Sequence, residues 1–276
     1  ISNAVCMIPN IVHFMYFNGP DSREFGFINY LAVRTAHEVQ KPDIIYFYYN
    51  EEPEDNPNWE RIRPYVRMVK IDPPEEYGGI PLKYPQYKAD VVRLQKLLIH
   101  GGIYLDTDIL MLKPLTPLMD NECVLGAEGY IDQAQDLHTN DIKKIGSISN
   151  AVIMAEPSCR FLKEWLLHLP KALMSGVWAY HAVTLPLELY KKDKSLFELQ
   201  EAEAFIPFDF RHKYIFENKD GDKERLSSSY TMHMWETIWK DDLRQIDKEY
   251  LETQDNLFCQ LFGKYAQEKI AVKCVL

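Results

Sequence analysis

Positive charge is in short supply in this 276-residue chain, where 31 lysines and arginines face 41 aspartates and glutamates for a formal net charge of −10. That balance argues against a nucleic-acid partner, which calls for a basic face. Cysteine is sparse and scattered. The five (Cys6, Cys123, Cys159, Cys259 and Cys274) form no CxxC pair, so no structural zinc site is expected and mostly free thiols are. No Asn-x-Ser/Thr sequon occurs, which together with the thiols leans toward a reducing compartment. No apolar run is long enough to span a bilayer, and no signal peptide is evident after Ile1. Glycine and proline are not in excess, and repeats and low-complexity segments are absent. With 46% hydrophobic and 13% aromatic residues, the chain can bury a sizeable core.

What is present alternates. Ile8–Phe17 reads as a strand rich in β-branched and aromatic residues, broken by Asn18-Gly19-Pro20. Phe25–Gln40 carries Phe27, Ile28, Leu31, Ala32 and Thr35 at helical spacing. Asp43–Tyr49 is a short apolar run suited to a buried strand, Asn50–Trp59 an acidic, proline-containing loop, and Tyr65–Ile71 a third strand. Such alternation predicts an α/β protein with a mainly parallel central sheet flanked by helices, and ligands at the carboxyl ends of its strands. Phe17-Asn18 lies at one such end.

The most informative stretch is Tyr87–Leu110, YKADVVRLQKLLIHGGIYLDTDIL. Its first half is a helix with Val91, Leu94, Leu97 and Leu98 on one face, stopped by Gly101-Gly102. Asp90 and Arg93, three apart, share a side of that helix. A strand over Ile103–Asp108 follows, and its alternation turns Tyr104, Asp106 and Asp108 the same way. Two carboxylates converging at the end of an apolar strand suit a hard cation such as Mn²⁺ or Mg²⁺, which takes oxygen ligands and bridges to phosphate. Asp-x-Asp alone is common and usually marks a solvated turn. The preceding helix, glycine stop and apolar strand, with Asp90 and Arg93, make this arrangement far more specific.

Lys88-Ala89-Asp90, Arg93 and Gly101-Gly102-Ile103-Tyr104-Leu105-Asp106-Thr107-Asp108 together resemble the DXD sugar-binding motif of glycosyltransferase family 32, and the catalytic domains of the large glucosylating bacterial toxins. Ile8-Pro9-Asn10-Ile11-Val12-His13 followed by Phe17 is similar to that family's opening strand, with Asn10 in place of its usual Lys and Met15-Tyr16 departing from its pattern. The resemblance is clear from Ile8 to Leu115 and traceable to about Trp239.

The resemblance implies a GT-A type nucleotide-sugar-binding fold in one domain over 1–276, with a nucleotide-sugar half (1–115) and an acceptor half (116–276). It implies a retaining transferase that moves a hexose from a nucleoside-diphosphate sugar, UDP favoured and GDP-mannose allowed, to a hydroxyl on a glycan, lipid or protein. Phe14, Met15 and Tyr16 would line the nucleobase and ribose pocket, and Tyr104 would pack near the nucleotide. Asp90 and Arg93 would contact the sugar and diphosphate. Asp106 would touch the ribose or sugar, and Asp108 would ligate the metal. Asn150, before the strand Ala151–Ala155, would bond substrate hydroxyls; the plainer reading is an asparagine closing a turn. His233 would add a metal or diphosphate contact and Trp235 would cap the site, against a plainer reading as strand residue and buried aromatic. His13 reads as a core histidine. Tyr180-His181 falls near the acceptor side without a role, and 218–225 reads as an exposed loop turning at Asp220-Gly221. Relatives include anchored Golgi enzymes and soluble microbial ones, so both compartments stay open. Two rival readings are a sugar-binding domain with a vestigial site, and a metal-dependent phosphohydrolase, which would need more carboxylates.

Overall fold

The computed structural model describes residues 7–19, 22–130, 143–211, 213–217 and 222–267. Cys6, Cys274 and the turn expected at Asp220-Gly221 lie outside the described residues. The strands are β1 (Ile11–Tyr16), β2 (Ile44–Tyr49), β3 (Arg67–Lys70), a small β4–β5 hairpin (Glu76–Tyr77, Ile80–Pro81), β6 (Gly102–Leu105), β7 (Ile109–Met111), β8 (Cys123–Tyr130), β9 (Ile145–Ala155), β10 (Glu198–Gln200) and β11 (Thr231–His233). Seven of them form one sheet in the order β10-β8-β9-β6-β1-β2-β3. The pairs β10–β8, β6–β1, β1–β2 and β2–β3 are parallel, and β9 runs antiparallel to both neighbours. The expected α/β class with a mainly parallel central sheet between helices is what is found.

Helices α1 (Phe27–Thr35) and α2 (Pro57–Ile62) cover one face, and α3 (Pro85–His100), α4 (Arg160–Met174) and α5 (Leu185–Lys192) the other. The period-two alternation of each strand sorts its residues between these layers. Val12, Phe14, Ile45, Phe47, Ile103 and Leu105 pack with α1 and α2, whereas Met15, Tyr48 and Tyr104 pack with α3 and α4. Phe14 is therefore fully buried, its ring 6.2 Å from that of Phe47, and faces the core rather than a nucleotide. Phe14 does not join Met15 and Tyr16 at the carboxyl end of β1: it shares a face with Tyr16 but lies two residues deeper in the sheet, covered by α1 and α2.

The chain steps from β1 to β2 and β3 on one side, then returns to place β6 on the other side of β1. Between β1 and β6 lies the topological switch point, where the carboxyl ends of parallel strands open a crevice. The glycine pair makes that close pairing possible. Gly101 (φ 62°) ends α3, donating its N–H to Leu97 O at 2.7 Å. Gly102 (φ 111°) leaves no room for a side chain, since a Cβ there would sit 2.4 Å from Ile11 O.

The strand expected over Ile103–Asp108 stops at Leu105. Asp106 N–H still bonds Ala151 O at 2.9 Å, but Ile109 N–H turns back to Asp106 O at 3.0 Å. Asp106–Asp108 is thus a tight turn leading into β7, not a continuing strand. Asn150 likewise sits inside β9 rather than before it, because β9 is extended by pairing with β8 across register shifts.

His13 joins these elements. Its Nε2 lies 2.8 Å from Gly101 O and its Nδ1 3.2 Å from the Tyr48 hydroxyl, so a neutral ring protonated on Nε2 satisfies both. Burial lowers its pKa from 6.5 to about 4. Below pH 6.5 the unfolded chain takes up a proton that the folded chain refuses, so the stability tied to this ring is complete above 6.5 and lost toward pH 4. His13→Gln should be the less stable protein at pH 7, with the gap to wild type narrowing by up to about 3 kcal/mol by pH 4 in urea titrations. A gap that stays constant with pH would show that the ring does not titrate as described.

Candidate active site

A cleft of about 440 Å³ opens at the switch point, lined among others by Met15, Tyr16, Asp90, Arg93, Tyr104, Asp106, Asp108, Asn150, His233 and Trp235. Of the residues expected at the site, only Phe14 stays away from it.

Arg93 organises one wall. Its guanidinium is buried on α3 and lies 4.4 Å from the centre of the Tyr104 ring. Nη1 donates to Asp106 Oδ1 at 3.0 Å and to Asn150 O at 2.8 Å, Nη2 pairs with Asp90 Oδ1 at 3.0 Å, and Nε reaches Ala89 O at 3.4 Å. The i, i+3 spacing of Asp90 and Arg93 sets their contact. Asp90 is itself fully used: Oδ1 also accepts from Asn150 Nδ2 at 2.9 Å, and Oδ2 lies 2.9 Å from His181 Nε2. The Tyr104 hydroxyl donates to Asp106 Oδ1 at 2.7 Å. Asp106 Oδ1 is held by two donors, and the remaining carboxylate oxygen is left for a ligand.

The opposite wall is Asp108 and the segment after β11. β11 pairs antiparallel with β7, setting His233 beside Ile109 and therefore next to the Asp106–Asp108 turn. His233 Nε2 lies 3.2 Å from Asp108 Oδ2, which also accepts the Glu236 N–H at 2.9 Å. Trp235 adopts a left-handed backbone (φ 48°), rare for a non-glycine residue, and its Nε1 donates to Phe208 O at 2.8 Å. That bend carries its ring against His233, centroids 4.3 Å apart, and aims the next amide at Asp108.

Besides Asp90, four carboxylates, Asp106, Asp108, Glu128 and Glu236, share this space, and the cleft carries surplus negative charge accordingly. Burial raises Asp106, and the adjacent Asp108 raises it further against the pull of Arg93. Burial also raises Glu128, and lifts Glu236 to about 7 despite Arg23 at 3.4 Å. Asp108 is the exception: burial opposes its charge, but His233, Arg23 and the Glu236 amide hold it well below the usual carboxylate range.

Asp106, Asp108 and His233 each offer one ligand atom, all within 4.8 Å of one another, the one such group among the described residues. His233 Nδ1 is buried without a hydrogen-bond partner, so no second bond fixes the tautomer of the ring. Two carboxylate oxygens and an imidazole nitrogen, in surplus negative charge, fit Mn²⁺ or Mg²⁺.

His181, Glu236, Glu128 and Arg23 were not anticipated as part of the site. Glu236 sits three residues after His233, a carboxylate near a histidine that local pattern could have flagged. His181 and Arg23 join only through the fold.

The family described as a glycosyltransferase sugar-binding region containing a DXD motif matches residues 29–125, which include Asp90, Arg93, Asp106 and Asp108. Glucan organizing enzyme 1 of Cryptococcus neoformans var. grubii is 29% identical over 270 residues, covering 95% of this chain and 72% of that protein. Among solved structures, the apo form of the glycosyltransferase GlyE from Streptococcus pneumoniae TIGR4 is similar at TM-score 0.49 and 15% identity, over 95% of this chain and 61% of that one. The galactosyltransferase LgtC, solved with donor and acceptor sugar analogues, is similar at TM-score 0.41 and 14% identity, over 88% of this chain and 100% of that one.

Removing a buried cation that leaves a buried carboxylate unpaired, here Asp90 with the half-buried Asp106 beside it, typically costs about 3–5 kcal/mol. Arg93→Met should lower unfolding free energy by roughly that amount in urea denaturation, and Arg93→Lys by less. A loss under about 1 kcal/mol in Arg93→Met would mean the network contributes little to holding the cleft.

Proposed function

We propose, starting from the match of residues 29–125 to the DXD-motif glycosyltransferase sugar-binding region, that this chain is a DXD-motif glycosyltransferase that moves a hexose from a nucleoside-diphosphate sugar, UDP-linked by preference, to a hydroxyl acceptor with retention of configuration. The observation that carries this reading is the convergence of Asp106, Asp108 and His233 at the switch-point crevice, beside an Arg93 network that fixes Asp106. The mainly parallel sheet and the crevice at its strand ends support the GT-A expectation.

Asp106, Asp108 and His233 would hold Mn²⁺ or Mg²⁺, which when bound supplies positive charge against the departing diphosphate. The protein's own residues position the rest. Met15 and Tyr16, at the end of β1, would border the nucleoside. Arg93 has four of its five donors engaged, leaving one N–H for the donor, so its main work is to orient Asp106. Asn150 donates from its side-chain Nδ2 to Asp90 and accepts from Arg93 at its main-chain O, so it helps position both and would turn its side-chain Oδ1 to a substrate hydroxyl. Retention is proposed to follow a front-face course, in which a diphosphate oxygen takes the acceptor proton. Trapping a glycosyl ester on Glu128 or Glu236, cleft carboxylates outside the metal set, would contradict that course.

Thermal denaturation with UDP, GDP and their hexose conjugates tests the reading. With ligand at about 100 Kd, binding to the folded state alone adds about 2.7 kcal/mol, or roughly 5–10 °C in Tm for a chain of this size. The expected result is a Mn²⁺-dependent rise with one nucleotide class, abolished in Asp108→Ala and reduced in His233→Ala. No rise with any donor in the presence of either metal would favour a vestigial site.

A further inference from the structure

Three aromatic rings cluster on the α3–α4 side of the sheet, two of them, Tyr87 and Trp178, lining the cleft. Tyr84 precedes α3, Tyr87 lies in its first turn, and Trp178 follows α4. Their ring centroids are 5.1 Å (Tyr84–Tyr87), 5.2 Å (Tyr84–Trp178) and 5.4 Å (Tyr87–Trp178) apart. Tyr87 continues inward, its ring 4.3 Å from that of His181, and His181 bonds Asp90. A chain of rings thus runs from solvent to the carboxylate that anchors Arg93.

These are not core residues that fail to pack. Trp178 is 61% exposed and Tyr84 45% exposed, although tryptophan is among the residues buried most on average. The loop that presents Trp178 is built rather than slack. Gly176 (φ 67°) and Ala179 (φ 54°) bracket it in left-handed conformations. Ser175 Oγ donates to Ala172 O at 2.7 Å and accepts the Val177 N–H at 3.2 Å. The Tyr180 hydroxyl is tied to Glu188 at 2.7 Å. A platform held in place before binding loses little freedom when a ligand arrives.

We infer that Tyr84, Tyr87 and Trp178 form the acceptor platform, on which a pyranose ring of a neutral glycan chain stacks its C–H face while its terminal hydroxyl points into the cleft. Trp178 and Tyr87 line the same cleft as Asp106, Asp108 and His233, so a chain lying on the rings ends at the proposed reacting centre. Large aromatic faces with polar edges suit a sugar, which offers an apolar face and a rim of hydroxyls. Neutrality follows from the cleft itself, where Asp90, Asp106, Asp108, Glu128 and Glu236 outnumber Arg23 and Arg93 and would repel an anionic chain. The inference rests on the transferase reading for the direction of the chain, but the platform's affinity for sugar does not.

The test uses the full chain with Mn²⁺ and UDP, titrated with maltohexaose, laminarihexaose, cellohexaose and mannohexaose and followed by tryptophan fluorescence and calorimetry. The expected result is saturable binding of at least one hexasaccharide, weakened tenfold or more in both Trp178→Ala and Tyr84→Ala. Both side chains are exposed, so folding should survive, as circular dichroism would show. Mn²⁺–UDP stabilisation should persist in both variants. Wild-type-like hexasaccharide affinity in the variants would overturn the platform, as would no binding of any of the four by wild type. Loss of Mn²⁺–UDP stabilisation in Trp178→Ala would assign the rings to the nucleotide instead. Trp178-dependent binding to phosphatidylcholine vesicles, without sugar binding, would assign them to a membrane surface. If wild type shows no metal-dependent stabilisation by UDP, GDP or their hexose conjugates yet binds a hexasaccharide through these rings, the transferase reading fails and the platform stands.

Discussion

The buried guanidinium of Arg93 ties together three elements at one point: Asp90 on α3, Asp106 after β6, and the Asn150 carbonyl in β9. A buried cation is tolerable only when its donors are satisfied, and here each partner is an acceptor with a further job. Asp90 holds His181 and Asn150, and Asp106 receives Tyr104. One wall of the cleft is therefore set before any ligand arrives. The other wall depends on β11 pairing with β7, which brings His233 and the Glu236 amide to Asp108. Asp106 and Asp108 differ in environment for this reason: one is gripped by an arginine and a tyrosine, the other by a histidine and a backbone amide.

Much of the first wall was legible in the sequence because its parts are local. The helix, the glycine stop and the Asp-x-Asp pair fall within one stretch, and the spacing of Asp90 and Arg93 implies their contact. The convergence of Asp106 and Asp108 was anticipated for a reason the fold does not use. Strand alternation was expected to align them, whereas a turn bonded from Ile109 N to Asp106 O does so. Phe14 was placed with Met15 and Tyr16 by position alone, although it lies two residues further into the sheet than Tyr16, where α1 and α2 cover it. Asn150 was placed before its strand because the pairing of β9 with β8 carries no local signature. His181 meets Asp90 across 91 positions and Glu236 meets Asp108 across 128, and no local pattern reports such pairings.

The two faces of the sheet divide the labour around the cleft. Tyr16 packs toward Phe25 and Trp59 on the α1–α2 side, where a nucleoside would lie beside the end of β1. The exposed rings of Tyr84 and Trp178 stand on the α3–α4 side. Between them sits a surplus of carboxylates, with Glu236 lifted to about 7 and Asp106 raised, both chiefly by burial. Such a surplus is costly without a cation and is relieved by one.

The central claim is that Asp106, Asp108 and His233 hold the divalent ion on which donor binding depends. Anomalous scattering from crystals grown with Mn²⁺ and UDP, measured on both sides of the manganese absorption edge, tests it most directly. One strong manganese peak is expected within ligand distance of Asp108 and His233 side-chain atoms, with UDP phosphate oxygens on its open side. Bound UDP with no manganese peak there, or with the metal held by other residues, would contradict it.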